Sequence, residues 1–182
     1  MTEFHGCLHS GIIKPEVYCE AIQQLLEEHT VLRKEMTNFY YLASQLAYEP
    51  KRKDRHELLK NLANQIETFH KNIVAHSIKE GSYLFDVVAK YIGREDGPIE
   101  VMEKEHQIVK RHLNQFLKKY PNINGNIPED IRELTSHIAA VFHTLTDHIL
   151  KEEEVLFPLA EELLSDAEKN MLEDRFKEIK VY

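Results

Sequence analysis

Residues 148–157 read HILKEEEVLF, and residues 76–85 read HSIKEGSYLF. The two segments align without a gap, and each contains His, Lys, Glu and Leu-Phe at the same positions. An α-helix has about 3.6 residues per turn, so a His and a Glu four residues apart project from one face. A segment repeated in this way indicates that the protein needs the same chemistry from two sides of one site.

Both copies lie in longer stretches whose apolar residues recur at helical spacing. Ile66 and Phe69 precede the first copy, and Val141 and Leu145 precede the second. The His and the Glu of each copy fall on the apolar face of the predicted helix. A buried carboxylate without a partner costs free energy, so two of them, each one turn after a histidine, need a common explanation. Metal ligation provides it.

The composition is that of a helical protein with one core. The 182 residues are 42% hydrophobic and 30% charged, with six glycines, six prolines and no tryptophan. Few chain breakers and many helix-forming residues favour an all-α fold, and the length suits one domain. We expect a single domain over residues 1–182, with a bundle core at about 15–164, an N-terminal arm at 1–14 and a short C-terminal helix at 165–180.

Four long helices follow from the breaks in the sequence. They are predicted from Pro15 to about Tyr48, from the N-cap Asp54 to about Tyr91, from Pro98 to Tyr120, and from Pro128 to about Leu164. Gly81 should loosen the second helix locally, and Pro158 should bend or interrupt the fourth. Helices joined by short breaks pack most simply as an up-down-up-down four-helix bundle.

Charge and cysteine content exclude several classes of function. The net charge is −8 and there is no basic stripe, which argues against nucleic acid and against an anionic membrane surface as partners. Two cysteines, Cys7 and Cys19, form no disulfide framework and favour a reducing cytoplasm. No segment has the length of an apolar membrane span, and the N-terminus does not resemble a signal peptide.

Two further histidines complete the predicted site. His29 lies on the apolar stripe of the first helix, and His106 lies on the inner face of the third, between Met102 and Val109. At a rise of about 1.5 Å per residue, all four histidines fall near the middle of their helices. The predicted metal ligands are His29, His76, Glu80, His106, His148 and Glu152. Imidazole and carboxylate without thiolate suit iron, manganese or zinc, and two glutamates could bridge two ions.

Four motifs in this order resemble the hemerythrin-like (HHE cation-binding) proteins. They are EEHTVLRKEM at 27–36, HSIKEGSYLF at 76–85, GPIEVMEKEH at 97–106 and HILKEEEVLFP at 148–158. The resemblance implies a four-helix bundle around two iron ions, bridged by two carboxylates and often by an oxo or hydroxo group. One iron would be held largely by His29 and His76, and the other by His106 and His148. The partner would be O2, peroxide or nitric oxide.

The sequence departs from the family in identifiable places. Oxygen-carrying hemerythrins have a second histidine one turn after the position of His106, where this chain has Lys110. Asp86 stands where the second copy has Pro158. The iron-centre repair branch adds a further histidine and a cysteine-containing N-terminal domain, and neither is evident here. These differences argue against simple oxygen carriage. An oxidoreductase or peroxidase and a protein that only senses or stores iron or oxygen both remain open.

Two other interpretations of the bundle stay open from the residues alone. Ferritin-like di-iron bundles use Glu-x-x-His, which occurs at Glu67–His70 and at Glu103–His106. A metal-free helical interaction module would need no ligands at all. Among the remaining residues we expect Glu28 and Glu105 to be exposed and Tyr83 to pack in the core. We expect His5, Cys7 and His9 to belong to an ordinary N-terminal arm.

Overall fold

The computed structural model describes residues 14–49, 51–123, 125 and 127–179. Every regular element in these ranges is a helix, as the predicted all-α class requires. None of the helices in the described ranges combines the length and the apolar character needed to cross a membrane. The predicted N-terminal arm, with His5, Cys7 and His9, lies outside the described residues except for Lys14.

The described residues contain seven α-helices. They are α1 (Glu20–Tyr48), α2 (Arg55–Lys79), α3 (Phe85–Ile92), α4 (Pro98–Lys119), α5 (Pro128–Lys151), α6 (Phe157–Leu163) and α7 (Asp166–Glu178). A first π-turn (Glu80–Leu84) joins α2 to α3, and a second π-turn (Glu152–Leu156) joins α5 to α6. Ser165 caps α7 through a capping box with Glu168, which satisfies backbone N–H groups that the first helical turn leaves free.

The first helix begins five residues later than the sequence predicts. Pro15 does not open α1, since Cys19 is the N-cap in an extended conformation. The segment before the helix is held by contacts with α6 and the second π-turn. The Cys19 N–H donates to Glu161 at 2.7 Å, and the Lys14 Nζ contacts Glu154 at 2.6 Å. Long-range contacts of this kind override the local helical preference after a proline.

The four long helices surround a common interior. α1 packs against α2 and α5, and α4 packs against the same two helices. α7 packs against α1 and the first π-turn. The C-terminal helix that the sequence predicts is α7. It follows α6 and covers α1 and the first π-turn.

Two apolar clusters lie on either side of the repeated segments. The α7 cluster is built from Ala21, Ile22, Leu25, Leu84, Phe85, Val87, Val88, Ile99, Met102, Leu156, Phe157, Ala160, Leu164, Leu172 and Phe176. The second, which we call the far cluster, takes its residues from 32–46, 59–73, 109–116 and 131–149. α1 and α4 run from the α7 cluster to the far cluster, and α2 and α5 run back. Burial stabilises the fold by about 1.5–3 kcal/mol per large apolar side chain, which offsets the cost of a polar layer between the clusters.

Each copy of the repeated segment ends in a π-turn. The Phe85 N–H donates to the Glu80 carbonyl and the Phe157 N–H to the Glu152 carbonyl, each five residues back. An α-helix turns by about 100° per residue, so a residue nine positions after a histidine would face away from it. The wider π-turn absorbs part of that rotation, and both phenylalanines are fully buried. The predicted interruption of the fourth helix is present, but it begins before Pro158. Because the first copy forms the same turn without a proline, the proline is not its cause.

Candidate metal centre

The six residues predicted as ligands lie together in the polar layer between the two apolar clusters. His29 lies on α1, His76 near the end of α2, and Glu80 opens the first π-turn. The other three are on the second pair of helices: His106 on α4, His148 near the end of α5, and Glu152 at the start of the second π-turn. We call His29 and His76 the N-terminal half of the site, and His106 and His148 the C-terminal half. Both glutamates are fully buried.

The six side chains form two overlapping groups that could each hold a metal ion. One group contains the N-terminal half with both glutamates, and the other contains the C-terminal half with the same two glutamates. Within each group the ligand atoms all lie within 4.8 Å of one another. Since Glu80 and Glu152 belong to both groups, they have the position that bridging carboxylates need in a two-metal site.

The Nε2 atoms of the histidines point toward the shared carboxylates. In the N-terminal half, His76 Nε2 lies 3.1 Å from Glu80 and His29 Nε2 lies 3.3 Å from Glu152. In the C-terminal half, His106 Nε2 lies 3.2 Å from Glu80 and His148 Nε2 lies 3.2 Å from Glu152. Each glutamate therefore contacts one histidine of each half.

Carboxylates outside this group hold two of the rings through their Nδ1 atoms. His76 Nδ1 lies 2.9 Å from Glu28, and His148 Nδ1 lies 3.1 Å from Glu105. An outer carboxylate of this type fixes the orientation of a ligating imidazole and raises its basicity. The expectation that Glu28 and Glu105 are simply exposed was wrong, because their side chains are only 20% and 16% exposed. The Glu-His pair that occurs at both 28–29 and 105–106 is the signal that sequence reasoning missed.

A third outer carboxylate, that of Glu153, contacts a histidine of the N-terminal half. Glu153 contacts His29 Nδ1 at 2.9 Å and accepts two hydrogen bonds from Arg33 at 2.6 and 3.0 Å. Each outer carboxylate has a cationic partner, since Glu28 pairs with Lys79 and Glu105 with Lys151. The charge of each outer carboxylate is neutralised by its Lys or Arg partner. The negative charge available to bound cations is therefore that of the two shared glutamates.

Electrostatics favours cations at the Nε2 atoms. Burial lowers the pKa of His76, but the Glu80 charge and the Glu28 hydrogen bond outweigh it and raise the pKa to about 10. His148 has the same opposing influences, and Glu152 and Glu105 raise its pKa to about 10. Burial alone would raise the pKa of Glu80, but the charge of His76 holds it well below its usual value. Metal ions compete with protons for these atoms, so loading of the site releases protons.

The unpaired polar atoms of the site fit a cationic group. The buried atoms without a hydrogen-bond partner include both carboxylate oxygens of Glu80 and Glu152 and the Nε2 atoms of His106 and His148. The Nε2 atoms of His29 and His76 lie 3.2 Å apart. When their Nδ1 protons are donated to carboxylates, these two lone pairs face one another. Buried polar atoms in native proteins are nearly always satisfied, and metal ions would satisfy all of these.

The phenylalanine after each π-turn packs on a histidine of the opposite half. Phe157 stacks on His29 with ring centroids 5.3 Å apart, and Phe85 stacks on His106 at 5.6 Å. In each copy the π-turn begins at a glutamate of the site, and it brings the apolar ring that follows it over a histidine. Both rings are fully buried. Tyr83 is partly buried and packs against the α7 cluster, as expected of a core residue.

Two further histidines of the described residues lie outside the candidate site. His112 and His137 contact each other, with their Nδ1 atoms 3.0 Å apart, and neither belongs to the two ligand groups found in the described residues. The ferritin-like interpretation requires Glu67 and Glu103 as metal ligands. Glu67 is exposed, Glu103 forms an ion pair with Arg94 at 2.8 Å, and neither belongs to the two ligand groups of the described residues.

Comparisons with known proteins identify related sequences. The family model of the hemerythrin HHE cation binding domain matches residues 20–160. The chain is 30% identical over 112 residues to the iron-sulfur cluster repair protein YtfE of Enterobacter sp. (strain 638), covering 59% of this chain and 50% of that protein. YtfE of Escherichia coli (strain K12 / DH10B) is 29% identical over 114 residues, with the same shares. The chain spans about half the length of these curated relatives. No solved structure matches the chain.

Proposed function

The chain belongs to the hemerythrin HHE cation-binding domain family, and we propose that it is a non-heme di-iron protein that handles a small redox ligand. The observation that carries the proposal is the pair of ligand groups that share two buried glutamates. Two overlapping groups with common carboxylates suit two metal ions better than one. Imidazole and carboxylate ligands together suit iron, and they leave manganese and zinc as competitors.

We assign one iron to the N-terminal half and the other to the C-terminal half. His29 and His76 would hold the first ion, His106 and His148 the second, and both shared glutamates would bridge them. The assignment is supported by the distances of 3.1–3.3 Å between Nε2 atoms and carboxylate oxygens. Ions between these atoms would replace contacts that lack hydrogen-bond geometry with coordination bonds.

We further infer that α1, α2, α4 and α5 form an up-down-up-down bundle. The inference is supported by the contacts of α1 and α4 with the same two neighbours. It is also supported by the alternating direction in which the four helices run between the apolar clusters. In such a bundle the two repeated segments lie on diagonal helices and face each other across the interior.

The protein side chains would bind, orient and shield the metal ions. Glu28, Glu105 and Glu153 would hold the rings through Nδ1, and the two apolar clusters would exclude water. Bound iron would supply one-electron chemistry toward O2, peroxide or nitric oxide. Because Lys110 takes the place of the second histidine of oxygen carriers, we favour reaction with such a ligand, or sensing of it, over simple oxygen transport. We place this function in the cytoplasm, as predicted from the low cysteine content.

A second candidate follows from the relatives. Iron-sulfur cluster repair proteins of the YtfE type share about 30% identity with this chain over part of their length. The chain could then deliver iron from its site to a damaged cluster. Transfer of iron from the loaded protein to an apo iron-sulfur protein, followed by the recovery of the cluster spectrum, would distinguish this role from ligand handling.

The test of the proposal is metal content together with a visible spectrum. We expect close to two irons per chain after anaerobic loading and an absorption band in the visible range after exposure to air. The double variant Glu80→Ala with His148→Ala should lose both signals while it keeps its helical circular dichroism. No bound metal in the unmodified protein, with no change in thermal stability on loading, would overturn the proposal and leave a metal-free interaction module.

A further inference from the structure

Two histidines outside the candidate metal centre face each other between α4 and α5. The Nδ1 atom of His112 on α4 lies 3.0 Å from the Nδ1 atom of His137 on α5, and both side chains are partly exposed. At a rise of about 1.5 Å per residue, His112 lies roughly 9 Å along α4 from His106, and His137 lies roughly 16 Å along α5 from His148. The pair is therefore a separate cluster, which the candidate metal centre does not use.

The contacts of the pair define one tautomer for each ring. Lys119 Nζ lies 3.3 Å from His137 Nε2, and because an ammonium group only donates, that nitrogen accepts. The ring proton of His137 is then on Nδ1, which donates to the Nδ1 lone pair of His112. Burial lowers the pKa of both rings, and the charges of Arg111 at His112 and of Lys119 at His137 lower it further. Both rings are therefore neutral at neutral pH, which is the form of histidine that binds metal ions.

The distance between the two Nδ1 atoms fits a shared metal ion. Histidine nitrogens bind zinc at about 2.0–2.1 Å, so two of them on one ion are about 2.9 Å apart at a right angle and about 3.3–3.4 Å apart at the tetrahedral angle. The observed separation of 3.0 Å falls within this range. Both lone pairs must turn toward the ion, which the broad χ2 preference of histidine allows in partly exposed rings. Because the rings come from two helices, an ion held by both would join α4 to α5.

Glu133 is placed to support the ring of His137 when an ion takes both Nδ1 atoms. The proton of His137 then moves to Nε2, and the total number of protons on the pair is unchanged. Glu133 lies one helical turn before His137 on α5 and forms an ion pair with Lys119, the group that contacts His137 Nε2. A carboxylate that accepts the outer N–H of a ligating imidazole raises the basicity of the ring. Lys119 has the opposite effect, because its positive charge repels a bound cation.

We propose that His112 and His137 form a second metal site, which holds one divalent ion of the zinc or copper class on the surface between α4 and α5. Imidazole ligands favour such late first-row ions over magnesium and calcium. Water completes the coordination, because both rings reach solvent. Glu133 orients His137 from outside, and Lys119 weakens the site through its charge. The ion clips the two helices together, and the site does not depend on iron at the candidate metal centre.

The experiment is a zinc titration of the full chain in competition with a chromophoric chelator, with zinc and iron counted per chain. Because zinc also competes for the candidate metal centre, the readout is the difference between the unmodified chain and a variant that keeps all six candidate ligands. His137→Ala removes one of two protein ligands, so it should raise the zinc Kd of this site at least about tenfold and bind one zinc fewer. His143→Ala is the matched control, because it removes another exposed histidine of α5 and should leave the number of zinc ions unchanged.

A second pair of variants tests the site without a change to either ligand. Lys119→Gln should lower the zinc Kd by about threefold to tenfold at low salt, the effect of one nearby unit charge, and the gain should shrink as salt is added. Glu133→Gln should raise the zinc Kd by about tenfold, at the lower end of the effect of outer ligand partners. Loss of the ion pair as a structural contact would be common to both variants and would not give opposite signs. Lys118→Gln removes an exposed charge from another face of α4 and should keep the Kd within about twofold.

The outcomes separate this site from the di-iron function. Equal numbers of zinc ions on the unmodified chain and on His137→Ala would overturn the second site, whatever the candidate metal centre holds. Should His137→Ala fail to fold, the ion-pair variants decide, since zinc Kd values that shift in the same direction, or not at all, in Lys119→Gln and Glu133→Gln would also overturn it. A chain that loses one zinc in His137→Ala but takes up no iron would overturn the di-iron function alone.

Discussion

The two halves of the candidate metal centre have the same inner residues and different surroundings. In the N-terminal half, Lys79 is buried beneath α7 with 1% of its side chain exposed. Its counterpart in the C-terminal half, Lys151, is 43% exposed. The carboxylate of Glu153 acts on the first half, and Gly81 leaves the second without an equivalent. The comparison teaches that the same set of inner residues can lie in surroundings that differ in burial and in charge.

Glu152→Gln should have the largest effect, because it changes both halves at once. A bridging carboxylate contacts both ions, so the variant should bind both irons at least about 100-fold more weakly, the upper range seen for changes outside the ligands themselves. Iron content per chain after gel filtration checks this. Glu154→Gln, two residues further on and facing Lys14, should keep two irons. A variant that lost only one iron would mean that Glu152 is not shared.

Phe176→Ala should remove the ring that covers Lys79 in the N-terminal half. The side chain is 1% exposed in the α7 cluster, and truncation of a buried phenylalanine typically costs about 3–5 kcal/mol. Urea unfolding of the apo-protein measures the change in the free energy of unfolding. Lys177→Ala, an exposed change on the same helix, should stay within about 0.5 kcal/mol. A loss below about 1 kcal/mol for Phe176→Ala would show that the packing of α7 contributes little to the stability of the domain.

Equivalent lysines should differ in their effect on stability. Lys79→Met should lower the free energy of unfolding by about 1–3 kcal/mol, since it removes the buried cation that pairs with Glu28 and leaves that carboxylate with His76 alone. Water screens part of that cost, because Glu28 is 20% exposed. Lys151→Met, at a solvated pair, should cost less than about 0.5 kcal/mol. Thermal unfolding of the two variants side by side tests the asymmetry, and equal shifts in Tm would contradict it.

The smallest expected change comes from Glu153→Gln. Loss of the carboxylate at His29 should weaken the iron of the N-terminal half by about tenfold, at the lower end of the effect of outer ligand partners. Competition with a chelator, monitored as stepwise loss of iron, would reveal one weakened ion and one unchanged ion. Glu105→Gln, which frees the Nδ1 of His148, should weaken the other ion by a similar factor. Loss of both ions in parallel in either variant would count against separate halves.

Much of the helical architecture follows from the sequence, because proline and glycine mark the breaks. Pro98 and Pro128 each begin a helix where predicted, and Gly93 ends α3 with a φ of 80°. The start of α1 does not follow, since the contact of Cys19 with Glu161 joins parts of the chain that are distant in sequence.

The repeat predicts four of the six candidate ligands, and helix periodicity predicts the other two, but neither predicts the carboxylates that contact the histidine rings from outside. Local spacing predicts that His76 and Glu80 share a face. It does not predict that Glu28, on another helix, reaches the Nδ1 of His76. The second π-turn could not be predicted from its local sequence either. Gly81 indicates a loosened helix in the first copy, but its counterpart Glu153 is a good helix former. That turn could be foreseen only from the parallel between the copies.

The π-turn also carries information about the origin of the chain. A π-turn amounts to one extra residue accommodated in an α-helix, and both halves have it directly after the shared glutamate. Duplication of an ancestral helical hairpin that already contained the extra residue is the simplest account of both copies. A primitive dimer of two identical hairpins would then have had a symmetric centre. On this account, Gly81 and Glu153 would be positions at which the two copies diverged after fusion into one polypeptide.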